Sequence, residues 1–256
     1  MKIHHLIVRS RNISCAPLKS IVVPRPTILR LGSTTPTSEI TKAKDVLEIN
    51  TAEACRISSD KILMKKVFVE NNIPTAEYIV PNTPEELADF FSTHGTLICK
   101  HKHSSKGNRI YLLSTIQDVF EFSDSHKLSN YVVEKYHTYS REYRIHVTKF
   151  GCFYASRKML KNDAIERWHR HSSNSVWILE DSLAFDKPVN WQDIVQDCVK
   201  ALNALGLDIA AFDVKVSNNK HKTPKYIILE SNSAPSLGDI GIQEYTKILT
   251  RITQNG

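Results

Sequence analysis

Asp213, Glu230 and Asn232 are the residues whose types and spacing point most directly to chemistry. They fall in two apolar, β-branched segments, one around Phe212-Asp213-Val214 and one in the run 226–236, bounded by the turn signals Gly206, Ser217-Asn218-Asn219 and Pro235. Side chains alternate faces along a strand, so Glu230 and Asn232 point the same way. Asp213 shares its face with Ile209, Ala211 and Lys215, opposite the apolar Ala210, Phe212, Val214 and Val216. If the two strands pair, one sheet face presents a cluster of hard oxygen ligands suited to Mg²⁺, with Mn²⁺ as an alternative. Two polar residues at a strand end are the simpler alternative.

Cations with matching reach occur upstream. Lys61 and Lys100 are point charges on long stems, suited to meeting phosphate oxygens from two different elements. Lys65 or Lys66 could replace the first, and Lys102 shares a strand face with Lys100. Ser104, Ser105 and Gly107 form a loop whose backbone N–H groups could make an anion-binding nest; a plain hairpin turn is the alternative. Glu142, Arg144 and His146 alternate onto one strand face, where an ion pair between Glu142 and Arg144 is the simpler reading. Arg157 and Lys158 point to opposite faces of the next strand, and Arg157 is preferred as the cleft cation. Arg167, Arg170 and Asn174 are candidates for substrate contact from an irregular segment, with exposed loop residues as the default reading. The pairs His101/His103 and His169/His171 lack evident further ligands and read as polar loop or strand residues, not a zinc site.

Those side chains need elements to hold them. Short apolar runs at 6–8, 21–23 and 27–31 predict a small α/β segment, followed by a polar loop over 34–44. A helix is expected to start near Ser58 or Ser59 with Asp60 in its first turn, and to stop before Ile73-Pro74. Thr83-Pro84-Glu85-Glu86 predicts a second helix start with a capping box, and Ser114 to Gln117 a third. Strands are expected at 96–102, 110–113, 131–136, 143–149 and 152–156, the last two forming a hairpin at Phe150-Gly151. Residues 160–188 read as irregular. A helix over 191–205 stops at Gly206, and another closes the chain around 242–252.

Charge narrows the ligand. The net charge is +7, and from Lys135 to Arg170 nine Lys or Arg face only Glu142, Asp163 and Glu166, which predicts an anionic partner. The five cysteines are odd in number, scattered and without a C-x-x-C pair. They argue for a reducing compartment and against a disulfide framework. The first residues are too short in apolar length for a secretory signal, and no stretch approaches membrane-spanning length, so a cytoplasmic protein without membrane contact is expected.

The order of these parts resembles the ATP-grasp superfamily. Ser59-Asp60-Lys61 followed by Asn72-Ile73-Pro74, the strand 97–100 with Lys100, the loop Ser104 to Gly107, the run 131–136, and Asp213, Glu230 and Asn232 carry the resemblance over about residues 58–236. A weaker likeness of the segment 30–36 is to compact bacteriophage members. The resemblance implies an α/β (α+β) fold with ATP held between two α+β subdomains, over 58–136 and 137–256, preceded by a reduced N-terminal segment over 1–57. It implies ATP binding by Lys61, Lys100, Ser104, Ser105, Gly107, Glu134, Lys135, Tyr136 and Glu142. Asp213, Glu230 and Asn232 would be metal ligands, and Arg144 with Arg157 or Lys158 would be catalytic cations. The implied activity is an ATP- and Mg²⁺-dependent ligase joining a carboxylate to an amine, of small molecules or peptides, through an acyl phosphate. A kinase of a polyanionic small molecule is the second reading. A non-catalytic nucleotide- or nucleic-acid-binding protein is the third. The sequence departs from the pattern at the phosphate loop, which has one glycine, and at Ala211, where dipeptide ligases carry arginine.

Overall fold

Alternating apolar and polar residues build two antiparallel sheets, each with an apolar face packed on helices and a charged face opposite. One end of the larger sheet's charged face is also covered by the C-terminal helix. The computed structural model describes residues 4–10, 12–36, 45–104, 107–171, 173–218 and 223–255. The predicted loop 34–44 and the loop residue Ser105 therefore lie partly or wholly outside the described residues. The class is α+β, as the sequence implies.

The chain opens with β1 (His4–His5) and β3 (Val22–Val23), an antiparallel pair, and with β2 (Ile7–Ser10), β4 (Thr27–Leu31) and β5 (Leu47–Ile49), a parallel sheet in the order β2-β4-β5. Leu6, Leu18, Leu29 and Leu31 of this region share a core with Tyr245, Ile248 and Leu249. Those three belong to the C-terminal helix α6 (Asp239–Asn255), which is longer at both ends than the sequence suggests.

The helix expected from Ser58 or Ser59 begins at Lys61, and a further helix that the sequence reading did not anticipate precedes it. Thr51 caps α1 (Ala52–Ser59), accepting a hydrogen bond from Ala54 N. Asp60 ends that helix and caps the next, α2 (Lys61–Glu70), its Oδ1 accepting from Ile62 N and Leu63 N. The aspartate is thus the N-cap and not a first-turn residue, which makes Lys61 the first residue of α2.

The smaller of the two sheets contains β6 (Tyr78–Ile79), β7 (Leu97–His101), β8 (Ile110–Leu113) and β9 (Tyr131–Lys135) in the order β6-β9-β7-β8. α3 (Pro84–His94) and α4 (Ile116–Ser125) cover one face through Leu87, Val119 and Phe122 packed on Leu97, Cys99 and Val133. Two caps differ from expectation. Thr83 accepts from Glu86 N, but the Glu86 carboxylate reaches Asn82 N and not the cap residue. The next capping box is Thr115 with Asp118, one residue beyond Ser114–Gln117.

The larger sheet contains β10 (Arg141–Thr148), β11 (Gly151–Leu160), β12 (Ser175–Leu179), β13 (Ile209–Val216) and β14 (Tyr226–Asn232), antiparallel in the order β12-β11-β10-β13-β14. β12 lies inside the segment read as irregular; its exposed Val176 and Trp177 hide a strand pattern at a sheet edge. α5 (Trp191–Ala204), with Leu205-Gly206 as its stop, covers one face through Ile194, Cys198 and Leu202 on Tyr143, Ile145, Phe212 and Val214. Met64 and Phe68 of α2 join the same core.

Asn50 joins the N-terminal sheet to the larger one. It is fully buried at φ 62°, a left-handed conformation that asparagine tolerates better than most residues. Its side chain donates to Arg30 O (3.1 Å) and Ile209 O (2.8 Å) and accepts from Asp208 N (2.8 Å) and Ile209 N (3.1 Å). Asn50→Ala should leave these buried groups unpaired and destabilise the protein by about 2–4 kcal/mol, read from the shift in urea denaturation midpoint at unchanged slope.

Candidate functional site

The sheet faces opposite α3, α4 and α5 meet, and their charged residues lie there, with α6 packed over one end of the larger sheet's face. On the smaller sheet, alternation sends Leu97, Cys99 and Val133 to the helices and Lys100 and Glu134 to the other side. Lys100 Nζ lies 3.0 Å from both Glu134 carboxylate oxygens. Lys65 approaches the same carboxylate at 3.5 Å and donates to Thr75 Oγ1, whose hydroxyl reaches Ile228 O on β14. Glu134 and Lys65 side chains are each 1% exposed. Burial by itself would raise the Glu134 carboxyl, but Lys100 and Lys65 together hold it below the usual range. Burial pushes the Lys65 ammonium down to about 8 despite the attraction of Glu134.

On the larger sheet the register settles which residues share a face. Asp213 stands opposite both Arg144 and Glu230, and Ala211 stands opposite Asn232. A β-bulge between Asp213 and Val214 is essential to this arrangement. Val214 pairs with Ile228 while Asp213 pairs with Glu230, so β14 advances two residues against one on β13. Ile228 consequently sits in the core and Glu230 on the charged face, although strict alternation would put both on one side.

Arg144 grips Asp213 with two bonds of 2.7 Å, from Nε and Nη2 to the two carboxylate oxygens. Its partner is therefore Asp213 and not Glu142. Burial opposes ionisation of Asp213, yet Arg144 outweighs it and keeps the carboxyl below its ordinary value. Glu142 is held between Lys158 and Arg170, each at 3.5 Å. Trp177 on β12 lies under both Arg144 (4.9 Å) and Lys158 (5.4 Å). His146 bonds Tyr245 Oη at 3.0 Å, and burial pushes its pKa down to about 3, so it is neutral.

The two sheets are bridged at this face. Lys61 Nζ donates to Ser104 O (2.7 Å) and lies 3.4 Å from Glu230. Lys61 N donates to Lys102 O, tying the start of α2 to the end of β7. Lys215 Nζ sits 5.0 Å from the Tyr136 ring centre and donates to His137 O, and burial pushes its ammonium down to about 8. Gly107 holds φ 78°, and a Cβ there would stand 3.3 Å from His171 Cβ, so a larger residue would be both strained and crowded.

No protein-family model matches the chain, and no curated protein matches it. Solved structures do. D-alanyl-alanine synthetase A from Vibrio cholerae O1 biovar eltor aligns at TM-score 0.67 and 13% identity, over 91% of this chain and 77% of that one. The ATP-grasp ligase PsnB with a minimal precursor aligns at 0.58 and 16%, over 85% of this chain and 66% of that one. Carboxyaminoimidazole ribonucleotide synthase from Aspergillus clavatus with ATP aligns at 0.59 and 18%, over 81% of this chain and 53% of that one. The chain has the ATP-grasp fold. It spans from about half to three quarters of the length of these ATP-grasp proteins.

Within this fold, Lys61, Lys100, Glu134, Glu142, Arg144, Lys158, Asp213, Glu230 and Asn232 lie on the faces just described. Three predicted residues do not fit their expected use. Arg157 pairs in register with Tyr143 and so shares its helix-covered face, where it binds Ala184 O and Asp186. Lys158, opposite Glu142, lies on the charged face instead. Lys135, one residue out of phase with Glu134, pairs with Glu77 at 3.6 Å. Ser104 commits its N–H and hydroxyl to His101 O, leaving neither free in this arrangement for phosphate. The main-chain N–H groups of Lys135 and Tyr136 are likewise committed, to Glu77 O and Thr96 O. Sequence reading took Arg170 by default as exposed and Lys65 only as a substitute for Lys61, and gave no role to Lys215 or Trp177. For Lys215 the signal was present in its strand phase with Asp213.

Both Glu134 and Asp213 have folded-state pKa values below the ordinary 4.5 and 3.8. On acidification the unfolded chain therefore takes up protons first. Stability from these pairs should be complete above about pH 5 and be lost as pH falls through the depressed folded values. Urea denaturation between pH 7 and pH 3 should show that decline. Asp213→Asn should make it shallower while lowering stability at pH 7 by about 3–5 kcal/mol, because Arg144 stays buried without its carboxylate.

Proposed function

We propose that this chain is an ATP-dependent carboxylate–amine ligase. The observation that carries the reading is the bulged β13–β14 pairing, which turns Asp213, Glu230 and Asn232 toward the face that Lys61 reaches from the other side. Lys61 and Lys100 would hold the phosphates, with Glu134 and Lys65 setting the position of Lys100. The adenine end would lie near Tyr136, at the end of β9, with Glu142 reaching the ribose hydroxyls. Gly107 would let the loop backbone approach the phosphates.

Asp213, Glu230 and Asn232 offer only hard oxygen donors, which fits Mg²⁺ or Mn²⁺. Each Asp213 oxygen accepts one bond from Arg144 and retains a second lone pair. An ion held there would neutralise phosphate charge. The chain's own cations do the rest. Arg144 and Lys158, both oriented by Trp177, would face the substrate carboxylate. A carboxylate oxygen attacks the γ-phosphorus and ADP leaves, giving an acyl phosphate. The amine attacks the acyl carbon and loses a proton as inorganic phosphate departs. The net change is carboxylate, amine and ATP to amide, ADP and phosphate. Neutral His146, near the same pocket as Arg144, Tyr154 and Trp177, adds no charge to compete for the carboxylate.

The basic stretch favours this reading over binding of a polyanion or nucleic acid. Arg141 and Arg157 pair with Asp186, Arg144 with Asp213, and Lys158 and Arg170 with Glu142. Much of the charge counted in the sequence is neutralised internally. Among the described residues no helix is long and apolar enough to cross a membrane.

Incubation with ATP, Mg²⁺ and pooled carboxylates and amines should release ADP and phosphate only when both are present, with an amide identified by mass spectrometry. Glu230→Gln and Lys158→Ala should each lower kcat by roughly 100-fold or more, the scale of losing one transition-state electrostatic contact. Arg157→Ala should stay within about threefold, since it lies on the other face. A stable phosphorylated product formed without amine would overturn the ligase reading.

A further inference from the structure

The connection between β11 and β12 carries a second constellation that the ligase reading does not use. It is anchored over the same face: Tyr136 Oη donates to Trp168 O at 2.6 Å, and Arg170 reaches Glu142 and Ser140 O. Within it, Glu166, His169 and His171 bring one ligating atom each to within 4.8 Å of one another.

One buried side chain holds the backbone of all three. Asn174 Nδ2 donates to Glu166 O (2.9 Å) and His169 O (3.0 Å), while its Oδ1 accepts from His171 N (2.9 Å). Asn174 is 8% exposed, and Ser175 Oγ donates to the same Oδ1. The turn is therefore preorganised around the three carriers of potential ligands. His171 Nδ1 is occupied by Ser173 Oγ at 2.5 Å, and its Nε2 lies 4.0 Å from Glu166 Oε2. A hydrogen bond of this kind on one ring nitrogen orients a ligating histidine and selects the tautomer that leaves the other nitrogen bare. His169 Nδ1 is buried without a hydrogen-bond partner among the described residues. A cavity of about 420 Å³, lined in part by Glu166, His171 and Asn174, opens beside the group and gives an ion and a water ligand access.

We propose that Glu166, His169 and His171 form a site for a divalent ion of the zinc class, separate from the oxygen-only set at Asp213, Glu230 and Asn232. Two imidazoles and one carboxylate with an open position suit Zn²⁺ or Co²⁺ and not Mg²⁺. Bond lengths of about 2.0–2.2 Å require the ligand atoms to draw together by roughly 1–1.5 Å, and Glu166 is exposed and able to swing inward. His171 packs against Gly107, so an ion here would brace the connection against the phosphate loop. The site does not depend on the ligase assignment.

The test is metal binding by the full chain. Co²⁺ titration should give visible absorption of a four-coordinate N/O site at one ion per chain, and Zn²⁺ should abolish it. His169→Ala, His171→Ala and Glu166→Ala should each weaken Zn²⁺ binding at least about tenfold, checked for folding by circular dichroism. Asn174→Ala, which removes only positioning, should weaken binding by about 10–100-fold while preserving the Co²⁺ spectrum. Asp213→Asn with Glu230→Gln, and His101→Ala with His103→Ala, should leave it intact. Absence of stoichiometric Co²⁺ binding, or equal binding by the His169→Ala and His171→Ala chains, would overturn the proposal whether or not ligase activity is found.

Discussion

Glu134 is a carboxylate withdrawn from water between two lysines on different elements, and the arrangement of the two sheets around it follows from that withdrawal. An isolated buried carboxylate is too costly to keep ionised, so the fold must deliver compensating charge. Lys100 comes from the neighbouring strand and Lys65 from α2. Lys65 also reaches Thr75, which bonds β14, so the same contact that neutralises Glu134 links the smaller sheet to the larger one. Such a cluster adds little net stability against an apolar equivalent, but removing one member leaves an uncompensated charge. It acts as a positional constraint more than as an energetic gain.

The larger sheet repeats the pattern with Arg144 on Asp213 and with Lys158 and Arg170 on Glu142. Lys61, Lys65, Lys100, Arg144, Lys158 and Arg170 already each have a carboxylate partner, while Lys215 is held by His137 O and the Tyr136 ring. A polyphosphate entering this face would exchange partners with Glu134 and Glu230 and would not meet bare positive charge. That exchange moderates affinity and favours ligands that satisfy both signs at once, as a metal-bound nucleotide does. Trp177, under two of the cations, fixes their direction without neutralising them.

Much of the fold was legible because its periodicities are strong. Strands β4 and β8 match their predicted limits, and the hairpin at Phe150-Gly151, the stop at Gly206 and the break before Ile73-Pro74 each follow from local backbone chemistry. What escaped was local structure governed by one residue with two roles, or by exposure. Asp60 serves as the end of one helix and the cap of another, and the short helix before it, over 52–59, has too few apolar residues to stand out in the sequence. β12 is an edge strand with outward-facing Val176 and Trp177, so it lacks the alternation that marks a half-buried strand. Arg157 and Lys158 are adjacent, and only the register with Tyr143 and Glu142 determines which one faces the cleft.

The sequence alone determined the inventory: oxygen donors at 213, 230 and 232, cations at 61, 100, 144 and at 157 or 158, and strand phases that put Glu142, Arg144 and His146 together. These follow from period-two alternation, which is a property of the chain and needs no partner. Tertiary structure decided who pairs with whom. The bulge that separates Ile228 from Glu230, the choice of Asp213 over Glu142 as partner of Arg144, and the gathering of Glu166, His169 and His171 around Asn174 all depend on register, packing or loop closure. Charge pairing falls off over a few ångströms, so a sequence that specifies the charges leaves their partners open until the strands are in register.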